Sequence, residues 1–122
     1  MATFTLLITE SPQAGLAFAR AALAGGHQLA SVFFYGEAVR IANGLVPQVG
    51  DEPHLGEAWR EFANAHGLEL AVCVAAAERR GILDTEQAAE HELAPSMAAP
   101  FRQAGLGELI TASAQSDRTV QW

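Results

Sequence analysis

The chain holds a single cysteine, Cys73, in the run Leu68-Glu-Leu-Ala-Val-Cys-Val-Ala-Ala-Ala-Glu-Arg-Arg-Gly81. At that residue an apolar strand pattern gives way to a helical one. In α/β proteins such junctions form the carboxyl edge of the sheet, where side chains meet ligands. A thiol there lies near the partial positive end of the following helix, which favours the thiolate. One sulfur makes neither an internal disulfide nor a metal cluster, so the chemistry open to it is nucleophilic attack or carriage of a group. The ordinary alternative is an inert core residue, since free cysteine behaves as a small hydrophobe. On residue type alone both readings stay open. The small residues Val74 to Ala77 would let a partner come close. Arg79 and Arg80, nearly two turns on, suit the helix C-terminus or a solvated surface better than the thiol; docking of an acidic partner is the alternative.

Other chemistry finds little support. The first strand leads into Glu10-Ser-Pro-Gln-Ala-Gly15, which carries neither the G-x-G-x-x-G nor the Walker pattern, so no flavin or nucleotide site is expected. His27, His54, His66 and His91 stand at helix ends or loops without ligand spacing, and no metal is expected. Glu57, Glu61, Glu90 and Glu92 read as exposed helix faces rather than paired acid–base carboxylates. Asp117-Arg118 reads as a local turn or an interface ion pair.

The elements that must position Cys73 alternate. Phe4 to Thr9 reads as a buried strand, and Ala14 to Leu23 as a helix stopped by Gly25-Gly26. Gln28 to Tyr35 is a second strand whose near-continuous apolar run fits burial on both faces. Glu37 to Asn43 suits a short helix, and Gly44 to Pro53 is a loop. His54 to His66 places Leu55, Ala58, Trp59 and Phe62 on one helical face, closed by Gly67. Leu68 to Cys73 is the third strand, followed by short helices over Val74 to Arg80 and Thr85 to His91, the latter capped by Asp84 or Thr85. Ala98 to Gln103 is a weak strand because of Pro100. Leu106 to Ala114 is a last helix and Arg118 to Gln121 a last strand. Such alternation predicts right-handed parallel crossovers and a sheet covered on both faces: a three-layer α/β domain of flavodoxin-like type, with a mainly parallel sheet of four or five strands.

The 122 residues read as one domain, residues 1 to 122, of which half are hydrophobic and 17% charged, enough to bury a core. Seven basic against fourteen acidic residues leave a net charge of −7, which repels nucleic acid. The N-terminal apolar run has no basic flank and is too short for a signal peptide. No segment approaches the roughly 20 apolar residues that span a bilayer. A lone thiol suits a reducing, cytoplasmic setting. Trp59, Phe62, Phe33, Phe34, Tyr35, Phe101 and Trp122 are many bulky groups for a small sheet domain, so they are either core or partly covered by another subunit.

Several of these stretches together resemble the DsrE/TusD family of sulfurtransferase subunits. They are Ser31-Val-Phe-Phe-Tyr35, Ala42-Asn43, Ala58-Trp59, His66-Gly67, Cys73 to Gly81, Gly105-Leu-Gly-Glu-Leu109 and Asp117-Arg-Thr-Val-Gln121. The resemblance spans nearly the whole chain. It implies a flavodoxin-like fold and a persulfide carried on Cys73, the one catalytic residue, with no cofactor. It further implies a heterohexamer with TusB- and TusC-like subunits, a TusA-like sulfur donor and a TusE- or DsrC-like acceptor. The pathway implied is 2-thiolation of the tRNA wobble uridine, or, for DsrE-type members, sulfur oxidation. One departure stands out: the segment after the first strand, Ser11 to Gly15, is shorter than the Gly-containing loop typical of the family, which the resemblance implies borders the cysteine crevice.

Overall fold

Five strands lie side by side: β1 (Thr3–Ile8), β2 (Gln28–Phe34), β3 (Leu70–Cys73), β4 (Phe101–Ala104) and β5 (Arg118–Gln121). Their order is β4-β3-β2-β1-β5, and every neighbouring pair is parallel. The computed structural model describes residues 1–122. Between the strands run α1 (Pro12–Ala24), a 3-10 helix (Gly36–Ala42), α2 (Leu55–His66), α3 (Val74–Arg79), α4 (Thr85–Glu90) and α5 (Leu106–Gln115).

The layering follows from the order. From β1 to β4 each crossover steps one place in the same direction, and right-handedness then puts α1 to α4 on one face. The connection from β4 to β5 returns across the sheet and puts α5 on the other. Side chains agree: Phe4 stacks edge-on against Phe18 of α1, while its neighbour Thr5 bonds Ser116 just past α5. Helices thus stand on both sides of a parallel sheet, as the alternation predicts, but unequally. The helices α1 and α2 each bury four residues, whereas α5 buries none.

Most element ends fall where the sequence puts them, and the differences have local causes. Ser11 Oγ accepts from the Ala14 amide and Pro12 stands in the first turn, so α1 starts two residues earlier than the apolar spacing suggests. The third strand begins at Leu70 rather than Leu68. Gly67 adopts the left-handed conformation, and the Leu68 amide bonds back to the Ala63 carbonyl at 2.8 Å, so Leu68 belongs to the close of α2. Pro100 precedes β4 instead of interrupting it, which lets Phe101 to Ala104 pair with β3.

The aromatic residues are mainly core. Phe33, Phe34, Phe62, Phe101 and Trp59 are buried, and Phe34, Trp59 and Phe62 form successive edge-to-face pairs. Trp122 is half-buried against Phe18. Tyr35 alone remains exposed.

Candidate active site

Cys73 is the last residue of β3, the third strand of the chain and the second in spatial order from the β4 edge. It pairs in register with Ala104 of β4. The next residue opens α3, so Cys73 is also that helix's N-cap, with φ −57° and ψ 117° and no side-chain cap hydrogen bond. Three apolar residues, Leu70, Ala71 and Val72, all buried, run into it along β3. The helical start after it needs little explanation, because Val74-Ala-Ala-Ala-Glu-Arg is rich in good helix formers.

Cys73 is only 5% exposed and belongs to the main hydrophobic cluster. This is more burial than a group open at a sheet mouth would show. The chain opens to solvent directly after it: Val74 is partly exposed and Ala75 exposed. On the neighbouring strand ends two large side chains reach solvent, Tyr35 just after β2 and Leu106 just after β4, 41% and 48% exposed.

Strand order separates Cys73 from the usual nucleotide crevice. The one reversal of order falls between β1 and β5, where open α/β sheets hold their ligands. There the amides of Thr9, Glu10 and Ser11 all donate to the carbonyl of Trp122, at 2.8, 3.0 and 3.3 Å. The chain's own backbone fills that position. Ser11 to Gly15, the shortened segment, is the cap and first turn of α1 beside it, following β1, which lies two strands away from the Cys73-bearing β3 and not next to it.

A charged cluster flanks α3. Glu37, at the start of the 3-10 helix, accepts from Arg40 Nε at 2.6 Å and from Arg80 Nε and Nη2 at 3.1 and 3.0 Å. Arg80 Nη1 also donates to the Ala76 carbonyl of α3 at 2.9 Å. Hydrogen bonds from Arg40 and then Arg80 hold the Glu37 carboxyl below its ordinary value of 4.5. Sequence spacing reveals the Glu37–Arg40 pair, three residues apart on one helical face. Arg80 comes from 43 residues away and was legible only as a residue for the helix end.

The remaining candidates are tied up locally. His54 caps α2, its Nδ1 accepting from the Glu57 amide while Nε2 meets the Val46 carbonyl. Nδ1 of His27 accepts from the Ala2 amide, His91 pairs with Glu78, and His66 stacks on Phe62. Glu57, Glu61, Glu90 and Glu92 are exposed. Asp117 does more than form a local turn: its carboxylate accepts from the Thr3 amide at 2.8 Å, and its own amide donates to the Thr3 carbonyl. It therefore locks the start of β5 to β1. A cleft of about 390 Å³ opens between the 3-10 helix, the 44–53 loop and the start of α2; Arg40, Val49 and His54 help line it and Cys73 does not.

Fold and site together define a small parallel α/β domain with one thiol at the carboxyl edge of its sheet. The DsrE/DsrF-like family model matches residues 2–122, and the chain belongs to that family. It is 47% identical over 115 residues to a sulfurtransferase TusD of Serratia proteamaculans, covering 93% of this chain and 89% of that protein. To the TusD of Proteus mirabilis it is 44% identical over 127 residues, with 98% of each covered. To that of Pectobacterium carotovorum it is 43% identical over 129 residues, with 100% of each covered. Among solved structures, the YchN protein of E. coli superposes with a TM-score of 0.74 over all of both chains at 19% identity, a likeness of fold.

Proposed function

We propose that this chain is a sulfur-relay subunit in which Cys73 carries a sulfane sulfur as a persulfide. The observation that carries the reading is the position of the chain's only thiol, at the end of β3, in a protein whose whole length matches relatives named sulfurtransferase TusD. The Cys73 thiolate attacks the outer sulfur of a donor persulfide, forming a new S–S bond while the donor leaves as a thiolate. An acceptor cysteine thiolate then attacks the outer sulfur of Cys73-S-SH and releases the Cys73 thiolate. Each step is a thiol–disulfide-type exchange with no net oxidation, so thiolate fraction and access set its rate. The apolar pair Tyr35 and Leu106 beside the site suits a partner protein that covers Cys73 during transfer.

By the same reading the partners are TusB- and TusC-like subunits in a heterohexamer, a TusA-like donor and a TusE- or DsrC-like acceptor, in the cytoplasm. The relayed sulfur goes to 2-thiolation of tRNA wobble uridine, with dissimilatory sulfur oxidation as the alternative destination. The net charge of −7 accords with tRNA being handled by another protein. No helix is long and apolar enough to cross a membrane.

One observation favours a second reading. A cysteine only 5% exposed is what a non-catalytic structural subunit would show. Incubation with a persulfide donor followed by intact mass measurement decides between them. The relay requires a mass gain of about one sulfur atom that disappears in Cys73→Ser. Absence of any adduct in the assembled complex, or transfer by the assembly unchanged in Cys73→Ser, favours the structural subunit.

A further inference from the structure

Cys73 is only 5% exposed, and access limits the rate of thiol exchange, so opening of a neighbouring segment would speed sulfur transfer. β3 is held in the ladder on both sides, by β2 and β4. Two helices leave the sheet beside the thiol: α3 directly from Cys73, and α5 from just beyond its ladder partner Ala104. The longer of these, α5, has ten residues, and Arg102 ties its first turn by an ion pair to Glu108 at 2.9 Å. Under two turns long, α3 has six residues and no side-chain bond at its N-cap. Helices that short depend on outside contacts to persist. Ala76 and Ala77 pack α3 into the core and Glu78 meets His91, while its C-terminal end is tied to the 3-10 helix by Arg80, which grips the Ala76 carbonyl with one nitrogen and Glu37 with two others.

We propose that Glu37 and Arg80 are positioning residues for Cys73: their clasp holds α3 closed against the 3-10 helix, and its release is the local opening that brings the thiol to solvent. The proposal rests on the reading of Cys73 as the sulfur carrier. Arg80 is well covered, with a side chain 22% exposed, whereas Glu37 is 66% exposed, so water and salt reach the pair and breaking it is cheap. A partner that offers its own charge to Glu37 or Arg80 would shift the same equilibrium.

Alkylation of Cys73 by iodoacetamide at fixed pH, followed by intact mass, reads the population of the open form. Glu37→Gln and Arg80→Met each speed labelling roughly two- to fivefold, the span expected for a partly exposed pair. The double variant is no faster than the quicker single one, because both changes remove one clasp. Raised salt speeds the wild type and leaves the double variant unmoved. Arg40→Gln, which removes the other partner of Glu37 but no bond to α3, leaves the rate unchanged. Equal rates in wild type and clasp variants, or acceleration only in Leu106→Ala, overturn the proposal and place the opening on the α5 side. Persulfide loading in the same proteins separates the two ideas. Faster alkylation without any sulfur adduct sinks the carrier reading alone; loading with unaltered alkylation sinks the clasp alone.

Discussion

Cys73 and Ala104 face each other across the β3–β4 ladder, each the final residue of its strand. The thiol therefore has a methyl group for its ladder neighbour, and that neighbour is itself only 7% exposed. Ala104→Leu would push three extra carbons into the space beside the sulfur. Overpacking of this kind costs about 1–3 kcal/mol. The variant should unfold at lower urea concentration and take up sulfane sulfur more slowly than wild type. A folded Ala104→Leu protein that loads at the wild-type rate would show that sulfur does not enter past this strand end.

Cys73 makes no side-chain hydrogen bond at the start of α3 and sits among apolar neighbours. A serine there carries a hydroxyl that must cap the free amides at the start of α3, a bond the thiol does not make, or remain unsatisfied at a cost of about 1–3 kcal/mol. An alanine loses only the packing of one sulfur atom. Cys73→Ser should therefore be the less stable of the two in equilibrium unfolding, although both abolish loading. Equal stabilities would mean that the serine finds a bond that the thiol does not make. For functional work Cys73→Ala is then the safer control.

The pH dependence of the clasp has a definite sign. Arg40 and Arg80 lower the Glu37 pKa relative to the unfolded chain, so these bonds stabilise the fold fully above about 4.5, the ordinary value. The contribution fades as pH falls through the lowered folded value. Between pH 5 and 8 it should be constant. A carbon-detected NMR titration of the Glu37 carboxyl should give a midpoint below 4.5, and Arg80→Met should raise it. A midpoint at or above 4.5 in the wild type would refute the ion-pair geometry.

Much of this fold can be read from local pattern, and the exceptions share one cause. Leu106 to Ala114 and Arg118 to Gln121 are legible because spacing, glycine stops and strand-forming residues speak for themselves. Cys73 is legible as the end of a strand for the same reason. What spacing cannot reveal is partnership across the chain. Arg80 looks like a helix-end residue until folding brings Glu37 to it, and Asp117 looks like a turn until Thr3 arrives. The burial of the thiol belongs to this class too, since it depends on which helices pack beside β3 and not on the residues next to Cys73. Unequal cover of the two sheet faces is likewise set by the strand order, which no single segment encodes.

Gly15 offers a test of the packing behind the shortened turn. It lies in the first turns of α1, where alanine is the better helix former by about 1 kcal/mol. Propensity alone predicts that Gly15→Ala stabilises. A β-carbon at this position, however, would come within 2.7 Å of Ile8 Cδ1 and 3.1 Å of Ile8 Cγ1, with Trp59 Cζ2 at 3.6 Å behind. Ile8 and Trp59 are both fully buried, so neither has free space into which to retreat. Forcing an extra carbon into such a core costs about 1–3 kcal/mol, which exceeds the helical gain. Gly15→Ala should thus be destabilising by about 1 kcal/mol in urea unfolding. Ile8→Val removes the Cδ1 atom that would clash, so the double variant should recover much of what Gly15→Ala loses. If Gly15→Ala instead raises stability, or if Ile8→Val merely adds its own cost to it, the close approach of α1 to β1 is not what keeps glycine at this position.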